Sequence, residues 1–202
     1  MGFGLLFCGW VTLLFFKVLP VGIIGCILML KGIVKLEEYN QSFKKTKYAC
    51  IAFLVYFLLY GALWVLDLSG VYGFMSNSLL LYADELCYYI ILSVYSLFLY
   101  SSLGAISEDV EFDKGIVRAK RASSLVIVFA VFTALRVIFS GFIFEGYLRL
   151  ALFFFEIVWL VYTAIYLYSC YMMIANEEII NDEMKKMREY DAKYSFRIPK
   201  QK

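Results

Sequence analysis

Two long apolar runs in the second half of the chain constrain the fold more than any other feature. They cover residues 123–144 and 150–175, and the short turn Glu145-Gly146-Tyr147 joins them. An α-helix needs about 20 apolar residues to cross a bilayer, so each run is long enough to span a membrane. Each run also carries one internal charge, Arg136 in the first and Glu156 in the second. This pattern predicts a transmembrane helical hairpin with one charge on each arm.

The two internal charges are predicted to lie at the same depth. Arg136 lies ten residues before Gly146, and Glu156 lies ten residues after it. In an antiparallel hairpin, equal distance from the turn means equal depth in the membrane. A charge at the bilayer centre costs about 2.5–3.5 kcal/mol even on insertion scales, so a partner at matching depth is favoured. We therefore predict an Arg136–Glu156 ion pair, either as a structural pair or as part of a site for a substrate or ion.

The composition extends this interpretation to the whole chain. Hydrophobic residues make up 63% and charged residues 18%, whereas globular domains have roughly 45–50% and about 25%. Five runs have bilayer-spanning length, at about 5–30, 48–67, 81–106, 123–144 and 150–175. We therefore predict an all-α, polytopic transmembrane helix bundle of five spans over residues 1–175. A charged tail follows over residues 176–202 and is expected to be partly an amphipathic helix.

The first of these runs allows two interpretations. Lys17 and Pro20 interrupt it, and Gly22 and Gly25 follow closely. If the run is divided at Lys17, neither half crosses about 30 Å of hydrocarbon at about 1.5 Å per residue. We therefore predict one span that is kinked at the proline, with a re-entrant hairpin as the alternative.

Lysine and arginine are distributed unevenly between the predicted loops. Of 19 such residues, sixteen fall on one side of the predicted bundle, and Arg149 alone falls in a loop on the other side. Cytoplasmic loops carry an excess of Lys and Arg. With five spans, the distribution predicts an N-terminus outside and a C-terminus in the cytoplasm. A re-entrant first segment would leave the orientation of the other four spans unchanged.

Five charged residues inside or at the edges of the spans form a predicted polar cluster. They are Lys17, Asp84, Glu85, Arg136 and Glu156. Polar residues also follow one face of each later span, and such stripes pack together because lipid cannot satisfy them. The pattern predicts a polar interior that opens toward the outer leaflet. Alternatively, Asp84 and Glu85 are first-turn residues stabilised by the helix dipole, and Lys17 snorkels to the interface.

The sequence contains no convincing catalytic or cofactor motif. The chain has no histidine, and its five cysteines are isolated, so it lacks a histidine base and a Cys-x-x-Cys metal pair. Asp109-x-Glu111-x-Asp113 is spaced like the start of a calcium loop, but Lys120 stands where a bidentate glutamate is needed. We therefore predict that the protein is not an enzyme and has no cofactor or metal site. Tail lysines alternate with acidic residues, which argues against nucleic-acid binding.

The N-terminal quarter of the chain resembles known multi-pass proteins. The similarity lies in Gly4–Trp10 (GLLFCGW) followed by Gly22–Leu30 (GIIGCILML). These segments resemble small uncharacterised multi-pass membrane proteins of Gram-positive bacteria. The resemblance implies a location in the bacterial plasma membrane, and it carries no activity that can be transferred.

Two classes of function are consistent with these patterns. The charge-rich inner side and tail favour a non-enzymatic membrane accessory protein with a sensor, immunity or assembly role. The alternative is a small oligomeric transporter or channel with a polar outer-leaflet pathway around Arg136 and Glu156. The expected partners are the lipid bilayer and either further copies of this chain or another membrane protein.

Overall fold

The computed structural model describes residues 2–13, 19–70, 77–139 and 145–195; for residues 19, 20 and 174–195 it describes the backbone alone. Within these ranges the chain forms six α-helices and no strand. In chain order the helices are α1 (Gly2–Thr12), α2 (Leu19–Glu37), α3 (Phe43–Leu68), α4 (Ser78–Asp109), α5 (Asp113–Ile138) and α6 (Glu145–Ser195).

Four of the described helices are long and apolar enough to cross a membrane. They are α3, α4, α5 and the part of α6 from Glu145 to Met173. Large apolar side chains such as Leu59, Ile127 and Val158 are exposed on these helices, as expected where helices face lipid. The prediction of an all-α fold is therefore confirmed over the described residues, and four of its helices are candidate membrane spans. The predicted fifth span is not among these four.

The predicted first span, about 5–30, is instead divided between two antiparallel helices. A Cβ atom on Gly9 would lie 2.6 Å from the Gly25 carbonyl oxygen, and one on Gly2 would lie 2.9 Å from the Gly32 carbonyl oxygen. The lack of side chains at these positions lets the two backbones approach closely. The prediction of one kinked span is therefore wrong, and the first run forms a helical hairpin. Lys17 itself lies outside the described residues.

The hairpin places the start of α1 at the end of the bundle that carries residues 31–47 and 107–122. These two segments contain five and four Lys or Arg residues and are called the basic connections. Gly4 lies next to Tyr171, near the end of the membrane part of α6. At this end, Asn40 between α2 and α3 donates a hydrogen bond to Asp109 at the end of α4, at 2.6 Å. The start of α1 and the end of the membrane part of α6 therefore lie at one end of the described bundle, whereas the predicted five spans would place the two termini on opposite sides.

The described helices pack side by side in a closed ring around an aromatic core. Each helix packs against its neighbours in sequence, and α1 also packs against α6. One polar group of this core is bonded to another helix: the indole N–H of Trp10 donates to the Leu160 carbonyl oxygen at 2.9 Å. Such bonds are required because lipid offers no substitute partner. The bundle is thus tightly packed along most of its length, and this packing positions the cavity described next.

Candidate ligand-binding cavity

A cavity of about 540 Å³ lies between α3, α4 and α6, at the end of the bundle opposite the basic connections. It is formed by the C-terminal half of α3 and the N-terminal parts of α4 and α6. Its volume is within the range of about 300–1,000 Å³ that is typical of small-molecule sites. The lining residues are Tyr56, Phe57, Tyr60, Leu81, Asp84, Glu85, Tyr88, Tyr89, Gly146, Arg149, Leu150, Phe153 and Glu156.

Helical spacing explains why these residues face one another. The five lining residues of α4 recur at intervals of three, one, three and one, which keeps them on one face of the helix. The start of α4 is fixed by Asn77, whose side-chain oxygen accepts hydrogen bonds from the backbone N–H groups of Leu79 and Leu80. The α6 residues from Gly146 to Glu156 recur at intervals of three, one, three and three, so they also share a face.

Glu85 is the most connected charged residue of the cavity. Its Oε2 lies 2.9 Å from Arg136 Nη2 and 3.6 Å from Arg149 Nη2. The Tyr89 hydroxyl donates to its Oε1 at 3.2 Å. The two arginines differ in environment, because the side chain of Arg136 is 2% exposed and that of Arg149 is 67% exposed. The Arg136 guanidinium also lies 5.1 Å from the centre of the Tyr82 ring, a cation–π arrangement.

The structure gives Arg136 a different ion-pair partner from the predicted Glu156. Arg136 is paired with Glu85 on α4, whereas Glu156 lies in the cavity wall near Tyr88 and Tyr89. Distance from the turn determines the depth of a residue in a hairpin, but it does not determine which neighbour its helix face meets. Because α5 packs on α4 as well as on α6, the buried Arg136 reaches the Glu85 carboxylate on α4.

Asp84 and the tyrosines of α3 form the opposite part of the wall. The Tyr56 hydroxyl donates to Asp84 Oδ1 at 3.0 Å. The ring of Tyr60 stacks on that of Tyr56, with 6.3 Å between centroids. Tyr56 also packs beside Tyr88 at 6.1 Å. The Asp84 carboxylate is thus held next to a group of aromatic rings.

Asp84, Glu85 and Glu156 of the predicted polar cluster line the cavity, and Arg136 is joined to it through Glu85. Lys17 lies outside the described residues. Arg149 also lines the cavity, although its position next to a turn is typical of a loop charge. The spacing of Arg149, Phe153 and Glu156 at i, i+4 and i+7 was a signal that these residues share one face of a helix.

The cavity ends about one helical turn after Glu156, on the side of the basic connections. Trp159 is fully buried there, and its indole N–H donates to the Tyr100 hydroxyl at 2.7 Å. The Tyr100 hydroxyl is also hydrogen-bonded to that of Thr163. The cavity therefore ends at a layer of packed and hydrogen-bonded side chains that joins α4 to α6.

Comparisons with protein-family models, with curated proteins and with solved structures found no match to this chain. Its function must therefore be inferred from the positions and chemistry of its own residues.

Proposed function

We propose that this protein is a non-enzymatic accessory protein of the bacterial plasma membrane with a sensor role. It binds a small ligand in the outer cavity and transmits occupancy through α6. One observation carries the proposal: α6 contributes five residues to the cavity wall and continues as a single helix to Ser195. The 22 residues from 174 to 195 extend about 33 Å beyond the membrane part, at about 1.5 Å per residue.

We propose that the basic end of the bundle faces the cytoplasm, because Lys and Arg are enriched in cytoplasmic loops. The cavity then opens in the outer half of the membrane. The bacterial location is supported by the resemblance of the N-terminal segments, Gly4–Trp10 and Gly22–Leu30.

This orientation gives a testable result for both ends of the chain. Reporter fusions before Gly2 and after Lys202 are both expected to report a cytoplasmic position, because α1 starts beside the inner part of α6. A reporter inserted at residues 110–112 is expected to agree with them, and one inserted at residues 69–77 is expected to lie outside. An N-terminal reporter outside the cell, with the C-terminal one inside, would contradict this orientation and restore five crossings.

The sensor role is tested by filling the cavity without knowledge of the ligand. Gly146 lines the cavity, and a Cβ atom there would have nothing within 4 Å. Gly146→Trp is therefore expected to occupy the cavity and to slow amide exchange over residues 174–195 by about fivefold or more, which corresponds to a coupling of about 1 kcal/mol. The measurement is hydrogen–deuterium exchange of the full chain in nanodiscs.

The matched control for this measurement is Val158→Trp. Val158 is on the same helix, is 64% exposed and does not line the cavity, so the same side chain placed there is expected to leave the exchange unchanged. Unchanged exchange in Gly146→Trp as well would contradict sensing, and would favour an immunity or assembly role that uses the tail alone.

A small oligomeric transporter or channel is the second candidate. The observation that favours it is the set of charged residues within membrane-spanning helices around the cavity, since such residues often mark substrate or ion pathways. The packed layer of Trp159 and Tyr100 beneath the cavity supports one-sided binding instead. Solute flux into proteoliposomes that is altered by Glu156→Gln would contradict the sensor proposal and support transport.

A further inference from the structure

The cavity wall has a composition that selects for one class of ligand, and this inference rests on the proposed ligand-binding role of the cavity. Six lining residues are aromatic: Tyr56, Phe57, Tyr60, Tyr88, Tyr89 and Phe153. Several of these rings contact one another, with centroid distances of 5.6 Å for Tyr56–Phe57 and 5.7 Å for Tyr88–Tyr89. Aromatic faces attract cations, and groups of them form the cages that bind quaternary ammonium ions.

The charges around the cavity point to the same class. Three carboxylates line it, and one of them, Glu85, is already shared by two guanidinium groups. Asp84 and Glu156 supply the other two carboxylates. Taken together, the three acids and the two arginines carry a formal charge of −1. Glu156 is 3% exposed, so an interaction between its carboxylate and a bound cation is weakly screened by solvent.

We propose that the cavity binds an organic monocation, with an ammonium or quaternary ammonium head near Asp84 and Glu156. Its apolar part packs against Leu81, Leu150 and Phe153. A bare metal ion is a poor fit, because hard cations need six or more oxygen ligands and the wall is largely aromatic carbon. A cavity of about 540 Å³ instead matches a ligand with an organic body.

The proposal is tested with benzyltrimethylammonium as the cationic probe and benzoate as an anionic probe of similar size. The full chain in nanodiscs of zwitterionic lipid is titrated by calorimetry, with empty nanodiscs subtracted. Benzyltrimethylammonium is expected to bind, and Glu156→Gln or Asp84→Asn is expected to weaken it by about tenfold. Asp67→Asn is the matched control, since Asp67 is an acid near the end of α3 that does not line the cavity. Its affinity is expected to equal that of the wild type.

A second variant separates loss of charge from loss of folding. Glu156→Asp keeps the carboxylate and is expected to retain binding within about threefold, a change small on the scale of affinities. Tighter binding of benzoate, no binding of the cation, or equal cation affinity in wild type and Glu156→Gln would each overturn the inference. The sensor proposal is judged by the Gly146→Trp exchange experiment, which uses no ligand. If the cation fails to bind while Gly146→Trp still alters the tail, only the ligand class is wrong.

Discussion

Glu85→Gln is expected to lower the free energy of unfolding by about 3–5 kcal/mol, the usual cost of removing one partner from a buried ion pair. The variant leaves the guanidinium of Arg136, whose side chain is 2% exposed, without its carboxylate at 2.9 Å. Arg136→Gln is expected to cost less, because Glu85 is 21% exposed and keeps Arg149 at 3.6 Å. The measurement is reversible unfolding of the purified protein in mixed micelles.

A double-mutant cycle identifies the true partner of Arg136. Glu85→Gln and Arg136→Gln are expected to be coupled, with a combined cost below the sum of the single costs. Asp109→Asn is the control, since Asp109 lies at the other end of α4, where it accepts a hydrogen bond from Asn40 and has no contact with the Arg136–Glu85 pair. Its effect is expected to add to that of Arg136→Gln within about 0.5 kcal/mol. Coupling of Arg136 to Glu156 but not to Glu85 would contradict the geometry described above.

The predicted and observed partners of Arg136 differ, and this difference shows which structural features can be predicted from the sequence. Run lengths and charges predict that the chain is a membrane helix bundle, because the cost of burying polar backbone in lipid leaves few alternatives. They also predict which acids and bases lie within the bundle. Partner choice depends on how each helix is rotated about its axis, and this rotation is set by packing across the whole bundle. Arg136 therefore meets Glu85, which is distant in sequence.

The first run illustrates a second limit of the sequence. Hydropathy and length favour one kinked span for residues 5–30 and leave a hairpin as the alternative. Four glycines favour the hairpin, because their lack of side chains lets the backbones of α1 and α2 approach closely. They are Gly2, Gly9, Gly25 and Gly32. A glycine pattern of this kind occurs often by chance in membrane helices, so it acquires meaning only when two such helices are found in contact.

Gly9→Ala is expected to destabilise the hairpin by about 1–3 kcal/mol, the usual range for overpacking. The added Cβ atom would lie 2.6 Å from the Gly25 carbonyl oxygen and 2.8 Å from the Met29 backbone nitrogen. Because both are backbone atoms, no change of rotamer relieves the contact, and α1 must move away from α2. In lipid, close packing is a main source of helix association, so this separation is not compensated by the hydrophobic effect. Unfolding measurements and amide exchange over residues 2–13 report the loss.

Gly4→Ala is the matched control on the same helix. Its Cβ atom would lie 3.6 Å from the Tyr171 side chain, an ordinary contact, and the change is expected to stay within about 0.5 kcal/mol. If residues 5–30 formed one continuous span, Gly9 and Gly25 would be about 24 Å apart at about 1.5 Å per residue, and both variants would be nearly neutral. Equal tolerance of the two substitutions would therefore refute the hairpin, whereas selective damage by Gly9→Ala requires the two backbones to be in contact.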